Sequence, residues 1–150
     1  MEYASIQREV HIDASPEVVY QVISRPEHLR QWWPDEAELE AAPGATGLIT
    51  FGDRSTPEAQ VVELTVVEAE PPRRFSFRWV YDDAEAAALL VTFDLSPVGG
   101  GTLLRFTEVG FRENGWEVAV LEEAYREHVQ GWDHFLPRLA RYAAGLMATP

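Results

Sequence analysis

Two residue types are missing from this chain, and each absence excludes a class of chemistry. There is no cysteine, which excludes disulfide bonds, thiolate nucleophiles and cysteine-based zinc sites. There is no lysine either, because all 12 cationic residues are arginine, and this excludes a Schiff base or an amine nucleophile. Asp and Glu number 25, so the formal net charge is −13. That charge argues against nucleic acid as a partner, since phosphate binding needs a basic surface.

Long apolar runs are also lacking. No stretch approaches the roughly 18 apolar residues of a membrane span, and the first ten residues do not have the pattern of a signal peptide. We therefore expect no membrane insertion and a cytoplasmic location. What is present is 150 residues, 46% hydrophobic and 11% aromatic, which is enough for one hydrophobic core. No repeat or linker divides the chain, so we predict a single domain over residues 1–150.

The N-terminal third predicts one strand and two short helices. Residues 5–12 alternate between apolar and polar positions, as in a half-buried strand. Ser15 and Pro16 then form a helix start, because serine caps free N–H groups and proline suits the first helical position. A second short helix is predicted from Pro26 to a stop at Pro34.

The middle and the C-terminal third have different periods. Alternating β-rich segments separated by turn residues predict antiparallel strands, with a weaker strand near 37–41. The segments are 46–52, 60–69, 73–81, 87–96 and 102–109. Residues 117–146 then carry apolar side chains at steps of three and four, which predicts a long helix. Gly131 and Pro137 predict a kink in that helix or a break into two segments. This order of elements indicates an α+β fold in which a sheet wraps one amphipathic helix.

Several stretches, in order along nearly the whole chain, resemble the START-like (SRPBCC) superfamily and its branch named after the activator of the Hsp90 ATPase. They are residues 8–20 (REVHIDASPEVVY), 25–33 (RPEHLRQWW), 70–75 (EPPRRF), 91–95 (VTFDL), 99–102 (GGGT), 109–111 (VGF), and His128 with Gly131-Trp132. The resemblance implies a helix-grip fold, in which an antiparallel sheet wraps a long C-terminal helix and two short helices follow the first strand. It does not specify a function, because this superfamily includes lipid and hormone binders, polyketide cyclases and proteins without an assigned activity.

The helix-grip fold implies a cavity between the sheet and the long helix, and strand parity indicates which side chains face it. Aromatic walls with a few polar groups suit a small, largely apolar ligand. The alternative is that the same aromatic side chains simply fill the core. The predicted ligand-binding residues are Trp32, Phe77, Trp79, Tyr81, Phe93, Phe106, Glu108, Tyr125, His128 and Trp132.

Glu108 and His128 are polar residues on faces that are otherwise apolar. Buried together they would pair, and could hold a ligand hydroxyl or carbonyl or act as an acid/base couple. In the alternative, Glu108 lies in water at an open strand end and His128 is a satisfied core histidine. Relatives often have histidine where Glu108 stands, which puts their ligand preference in doubt for this chain. Arg8, on the inward side of its strand, is either a counter-ion or an edge residue whose charge reaches solvent.

Other functional motifs fail on spacing or context. His128 and His134 are six residues apart on a helix and so lie on different faces, which is not a zinc motif. Residues 82–85 lack the spaced ligands of a calcium loop, and the glycines at 99–101 precede a strand, not a helix, so they form no phosphate loop. We therefore predict no metal, no cofactor and no catalytic residue.

Three function classes remain open. The first is a binding module for a small hydrophobic or amphipathic molecule. The second is an enzyme resembling the superfamily's polyketide aromatases and cyclases, with a cavity His or Glu moving protons. The third is a chaperone-regulator-like interaction module, although the family's chaperone activators have an additional N-terminal domain that this chain does not accommodate. Trp32 and Trp33 would form either a lid over the cavity or a hydrophobic plug. The oligomeric state is left as monomer or homodimer.

Overall fold

A computed structural model describes residues 5–53, 55–80, 88–110 and 118–148. It confirms the α+β architecture of a seven-stranded antiparallel sheet, two short helices and one long C-terminal helix. The elements in chain order are β1 (Ser5–Ile12), α1 (Pro16–Ser24), α2 (Pro26–Trp32), β2 (Glu36–Glu38), β3 (Thr46–Phe51), β4 (Gln60–Glu70), β5 (Arg74–Val80), β6 (Ala88–Val98), β7 (Gly101–Val109) and α3 (Val118–Ala148).

The strands form one sheet in the order β1-β7-β6-β5-β4-β3-β2, and all neighbours are antiparallel. The register aligns aromatic side chains across the sheet: Phe93 of β6 lies opposite Phe75 of β5 and Phe106 of β7. All three rings are at most 1% exposed. The inner face of the sheet, as predicted from parity, is therefore a continuous apolar surface against which the helices pack.

The helix α1 begins where the sequence predicts it. The Ser15 hydroxyl accepts a hydrogen bond from the backbone N–H of Val18 at 3.3 Å, and Pro16 occupies the first helical position. One apolar side of this helix is buried, with Val19, Val22 and Ile23 fully inaccessible to solvent. The cap and the buried side together fix the helix against the sheet.

We expect Ser15→Ala to lower the free energy of unfolding by about 1 kcal/mol, because the capped N–H loses its side-chain acceptor. Urea unfolding followed by circular dichroism measures the change. Ser15→Asp retains an acceptor and should stay within about 0.5 kcal/mol of the wild type. An equal loss in both variants would show that the hydrogen-bond acceptor is not what stabilises the start of this helix.

The hairpin between β6 and β7 depends on glycine. Gly99 and Gly100 have φ of 52° and 84°, the left-handed conformations that a two-residue hairpin turn of type I′ requires. The next residue, Gly101, lies against β1, and a Cβ there would be 2.6 Å from the carbonyl oxygen of Ile12. The glycine run at 99–101 is therefore a tight turn followed by a close strand contact.

The helix α3 is one continuous element, so the alternative of a break into two segments at Gly131 or Pro137 is wrong. The alternative of a kink stays a prediction. Pro137 lies inside the helix and its side chain is exposed, whereas Leu136 and Leu139 on either side are 3% and 0% exposed. Burial of these neighbours holds the helix together across the missing N–H group. Within the ranges that the structure describes, no helix has the length and apolarity needed to cross a membrane.

Candidate functional site

The centre of the candidate site is the carboxylate of Glu108, on β7, which is completely buried. Its Oε2 atom accepts a hydrogen bond from Nε1 of Trp79 at 2.8 Å. Its Oε1 atom accepts one from Nε1 of Trp132 at 2.9 Å and lies 2.7 Å from Nδ1 of His128. The pairing of Glu108 with His128 predicted from the sequence is thus present, and the alternative in which Glu108 lies in water is wrong.

The donors around this carboxylate fit its ionised form, which is the form we assign to it. An indole N–H only donates hydrogen bonds, so Trp79 donates to one oxygen of Glu108 and Trp132 donates to the other. The hydrogen-bonding network then assigns Nδ1 of His128 as a third donor. A buried charge is tolerated only when it is hydrogen-bonded in this way. The three donors therefore explain how the carboxylate can be buried.

A groove of about 250 Å³ opens directly above this network, between α3 and the strands β3 and β4. Three members of the network, Trp79, His128 and Trp132, form its floor. The residues that line it are Trp33, Phe51, Gln60, Trp79, Glu127, His128, Gly131, Trp132 and Phe135. The groove is a largely aromatic surface with a buried ionic group beneath it.

Trp33 is the ring around which the groove is built. The helix α2 ends at Trp32, and the backbone of Trp33 leaves the helical conformation with φ −124° and ψ −93°. Its ring lies 5.2 Å from that of Trp132 and 5.4 Å from that of Trp79, centroid to centroid. With only 6% of its surface exposed, Trp33 is packed into the core beside the groove, which fits a plug and not a lid.

The other residues predicted to bind a ligand lie elsewhere. Trp32 is fully buried and donates its indole hydrogen bond to the carbonyl oxygen of Val22, and Tyr125 donates its hydroxyl to the carbonyl oxygen of Ser5. The phenylalanines Phe77, Phe93 and Phe106 are at most 2% exposed and belong to the core. Tyr81 lies outside the described residues. Trp79, His128 and Trp132 are thus the predicted residues that reach the groove, with Glu108 beneath them.

Much of the predicted cavity is occupied by the protein's own rings. Phe106 and Trp132 are 4.5 Å apart between centroids, and Phe93 lies 5.4 Å from Phe106. The alternative of a filled core therefore describes the region under β6 and β7. Within the described residues, the groove at the β3–β4 side is a part of the sheet–helix interface that stays open.

Arg8 lies near the groove but outside it. Its guanidinium forms a 2.8 Å salt bridge with Asp133 of α3, and the hydrogen bond that it donates to this carboxylate raises the pKa of Arg8. Both side chains are partly exposed, so Arg8 is at once a counter-ion of Asp133 and an edge residue that reaches solvent. The pair contributes at most about 1 kcal/mol. It ties the edge strand β1 to α3.

A larger depression, of about 670 Å³, lies on the outer face of the sheet. All three of its arginines are paired with carboxylates. Arg73 lies 2.8 Å from Glu70, Arg74 lies 2.7 Å from Asp94 and Arg105 lies 3.0 Å from Glu9. It holds no aromatic ring among its lining residues. Size alone does not make it a better candidate, because it lacks the enclosed apolar surface typical of small-molecule sites.

The sequence interpretation missed Phe51, Gln60 and Glu127 as groove residues, and did not single out Gly131 for this role. Phe51 shares a strand face with the buried Ile49, so parity on 46–51 could have identified it. Gln60 is the first residue of β4 and lines the groove, and no local sequence pattern indicates that position in the groove. Over the residues described here, no group of three or more His, Asp or Glu side chains could hold a metal ion.

The long helix held against the concave face of an antiparallel sheet defines a START-like, helix-grip protein. The family model for Activator of Hsp90 ATPase homolog 1-like protein matches residues 13–144, and the chain belongs to this family. The resemblance inferred from local motifs is thereby confirmed.

Solved structures agree with this assignment. Protein MLL2253 from Mesorhizobium loti is 25% identical with a TM-score of 0.77, over 97% of this chain and 98% of that one. The Aha1 dimer from Colwellia psychrerythraea is 22% identical with a TM-score of 0.67, over 91% and 92% of the two chains. DynU16, a protein in the dynemicin biosynthetic locus, is 22% identical with a TM-score of 0.72, and the match covers 93% of this chain but 46% of DynU16. No curated protein sequence matches the chain.

Proposed function

We propose that this protein binds a small hydrophobic or amphipathic molecule in the aromatic groove between α3 and the sheet. The observation that carries the proposal is the buried Glu108 carboxylate with its three donors, directly under an open aromatic surface. A filled core gains nothing from a buried ionic group, since well-packed apolar residues are usually at least as stable. Binding sites, in contrast, combine apolar walls with a few fixed polar groups.

The dimensions of the groove limit the ligand. At about 250 Å³ it lies below the range of roughly 300–1,000 Å³ that accommodates drug-sized molecules. The ligand, or the part of it that enters, is therefore small, of the size of one or two rings. A full sterol or a phospholipid would have to remain largely outside.

Thermal unfolding against a panel of fatty acids, sterols, flavonoids, aromatic polyketides and small aromatic amines tests the proposal. A ligand present at about 100 times its dissociation constant stabilises the native state by roughly 2.7 kcal/mol, which is a readily measured rise in melting temperature. We expect selective stabilisation by small ring compounds. If no compound of the panel raised the melting temperature, the proposal would be overturned.

Gly131 offers a matched pair of control variants. It lines the groove on α3, and a Cβ placed there has no neighbour within 4 Å. Gly131→Phe fills the groove and should abolish the stabilisation by any hit. Gly145 lies on the same helix with equally open space but away from the groove, so Gly145→Phe should preserve it. Equal responses in both variants would place the ligand elsewhere.

We expect Gly131→Ala to raise the free energy of unfolding by up to about 1 kcal/mol, because glycine is that much less favourable than alanine in a helix interior. The added methyl group meets open space, so no packing is lost. Urea unfolding measures the gain, and Gly145→Ala, closer to the helix end, should gain less. A loss of stability at Gly131 would mean that protein atoms already occupy this part of the groove.

The 2.7 Å contact between Glu108 and His128 favours an enzyme as the second candidate function. A groove histidine oriented by a carboxylate is arranged for proton transfer, and DynU16 belongs to a biosynthetic locus. Mass spectrometry of aromatic polyketide substrates incubated with the protein would reveal conversion. Turnover that survives in both Glu108→Gln and His128→Ala would remove this pair from any mechanism.

A homodimer in the cytoplasm is the assembly that we propose. The Colwellia relative, solved as a dimer, supports the homodimer, and the lack of cysteine is compatible with a reducing compartment. Analytical ultracentrifugation decides between a species of 16.9 kDa and one of twice that mass. A single species at the monomer mass across micromolar concentrations would contradict the dimer.

A further inference from the structure

We infer that the groove selects a cationic ligand, an amine or quaternary ammonium group, over neutral and anionic molecules of the same shape. This inference rests on the proposed function and specifies its ligand class. It is carried by the juxtaposition of an anion beneath the groove floor with aromatic rings around the opening.

The groove is lined by aromatic rings from five Trp and Phe side chains. They are Trp33, Phe51, Trp79, Trp132 and Phe135. They meet at close range, with Phe51 5.9 Å from Trp33 and 6.3 Å from Phe135 between ring centroids. The face of an aromatic ring is the negative region of its quadrupole and attracts cations within about 6 Å, most strongly for tryptophan. A groove lined by several aromatic rings is a chemical environment that suits an ammonium group.

The buried carboxylate of Glu108 accepts hydrogen bonds from the indole N–H groups of Trp79 and Trp132, the two rings of the floor. An anion at the N–H edge of an indole pushes electron density into the ring, because hydrogen bonds polarise the groups that they join. The faces of the Trp79 and Trp132 rings become more negative as a result. This gives the buried carboxylate an effect on a ligand that it does not itself touch.

Arginine and lysine side chains near the groove would compete with a cationic ligand. Among the described residues that line the groove there is no arginine, and the chain contains no lysine. Arg8 is engaged with Asp133. Arg138 lies 5.9 Å from the centroid of Phe135 and does not line the groove. A carboxylate or phosphate entering the groove would find no arginine partner on these residues.

Three probes of nearly one shape test the inference: choline, the neutral 3,3-dimethylbutan-1-ol and the anionic 3,3-dimethylbutanoate. Titrations of the full chain followed by tryptophan fluorescence give the three dissociation constants. We expect choline to bind at least about tenfold more tightly than the neutral alcohol, and the anion to bind most weakly.

Ring-removing variants separate the attraction of a cation from simple apolar burial. Phe51→Leu and Phe135→Leu keep an apolar side chain in the groove lining but remove an aromatic ring. Each should weaken choline binding about two- to fivefold while leaving binding of the neutral alcohol within twofold. An equal loss for both probes would contradict the inference.

The outcomes distinguish this inference from the proposed function. Equal affinities for choline and the alcohol, or tighter binding of the alcohol, would overturn the cation preference and leave a neutral-ligand groove. Tighter binding of the anion would do the same. Binding of no probe, together with silence of the wider panel in the unfolding experiment, would overturn both.

Discussion

Replacing Glu108 by glutamine is expected to lower the free energy of unfolding by roughly 2–4 kcal/mol. The isosteric amide keeps one carbonyl oxygen, which can continue to accept from His128 and Trp132. Its NH₂ group then faces the indole N–H of Trp79, so that two donors meet and one is left unsatisfied in the buried interior. Urea unfolding followed by tryptophan fluorescence measures the loss.

Glu63→Gln is the matched control, since it makes the same chemical change on an exposed position of strand β4. It should alter stability by no more than about 0.5 kcal/mol. If Glu108→Gln also stays within that limit, the carboxylate is not held by its three donors as described here.

Trp32→Ala is expected to cost about 3–5 kcal/mol, because it empties the volume of a large ring that is fully buried. The ring stacks on Trp33 at 5.8 Å and meets Phe93 edge-on at 6.5 Å, so its removal also loosens the groove plug. The same unfolding measurement applies. Val61→Ala, at a site that is 49% exposed, should stay within about 0.5 kcal/mol.

Trp32→Phe distinguishes a core role for Trp32 from the ligand contact predicted from the sequence. It retains most of the ring volume and loses the hydrogen bond to the carbonyl oxygen of Val22. The variant should be less stable than the wild type but keep the ligand-induced rise in melting temperature, since Trp32 does not line the groove. If the folded variant lost that rise in melting temperature, Trp32 would have to be part of the binding site.

Strand parity predicted the inner face of the sheet because the period of two is a local property of the backbone. Phe77 and Trp79, or Phe106 and Glu108, are inward in the structure as their spacing indicates. The N-cap at Ser15 was predictable for the same reason, as its acceptor and donor are three residues apart. The break at Pro137 was not correctly predicted, because tertiary burial of Leu136 and Leu139 outweighs the local cost.

The site itself depended on long-range contacts. Parity could place Glu108 on an apolar face, and a pair with His128 could be hypothesised, but the two tryptophan donors come from β5 and α3 and meet only in the folded sheet. The role of Trp33 was left open between lid and plug. The backbone of Trp33 departs from helical angles directly after α2, and this departure determines where its ring packs. Hydrophobic periodicity does not reveal such a change at a single residue.

The most direct test of ligand binding in the groove is the response of the indole N–H resonances in a ¹⁵N-labelled sample titrated with the best hit. The signals of Trp79 and Trp132, whose N–H groups hold Glu108, should shift together and saturate at one dissociation constant. The signal of Trp32, bonded to a backbone carbonyl in the core, should stay in place. A saturable ligand that leaves Trp79 and Trp132 unmoved would contradict binding in this groove.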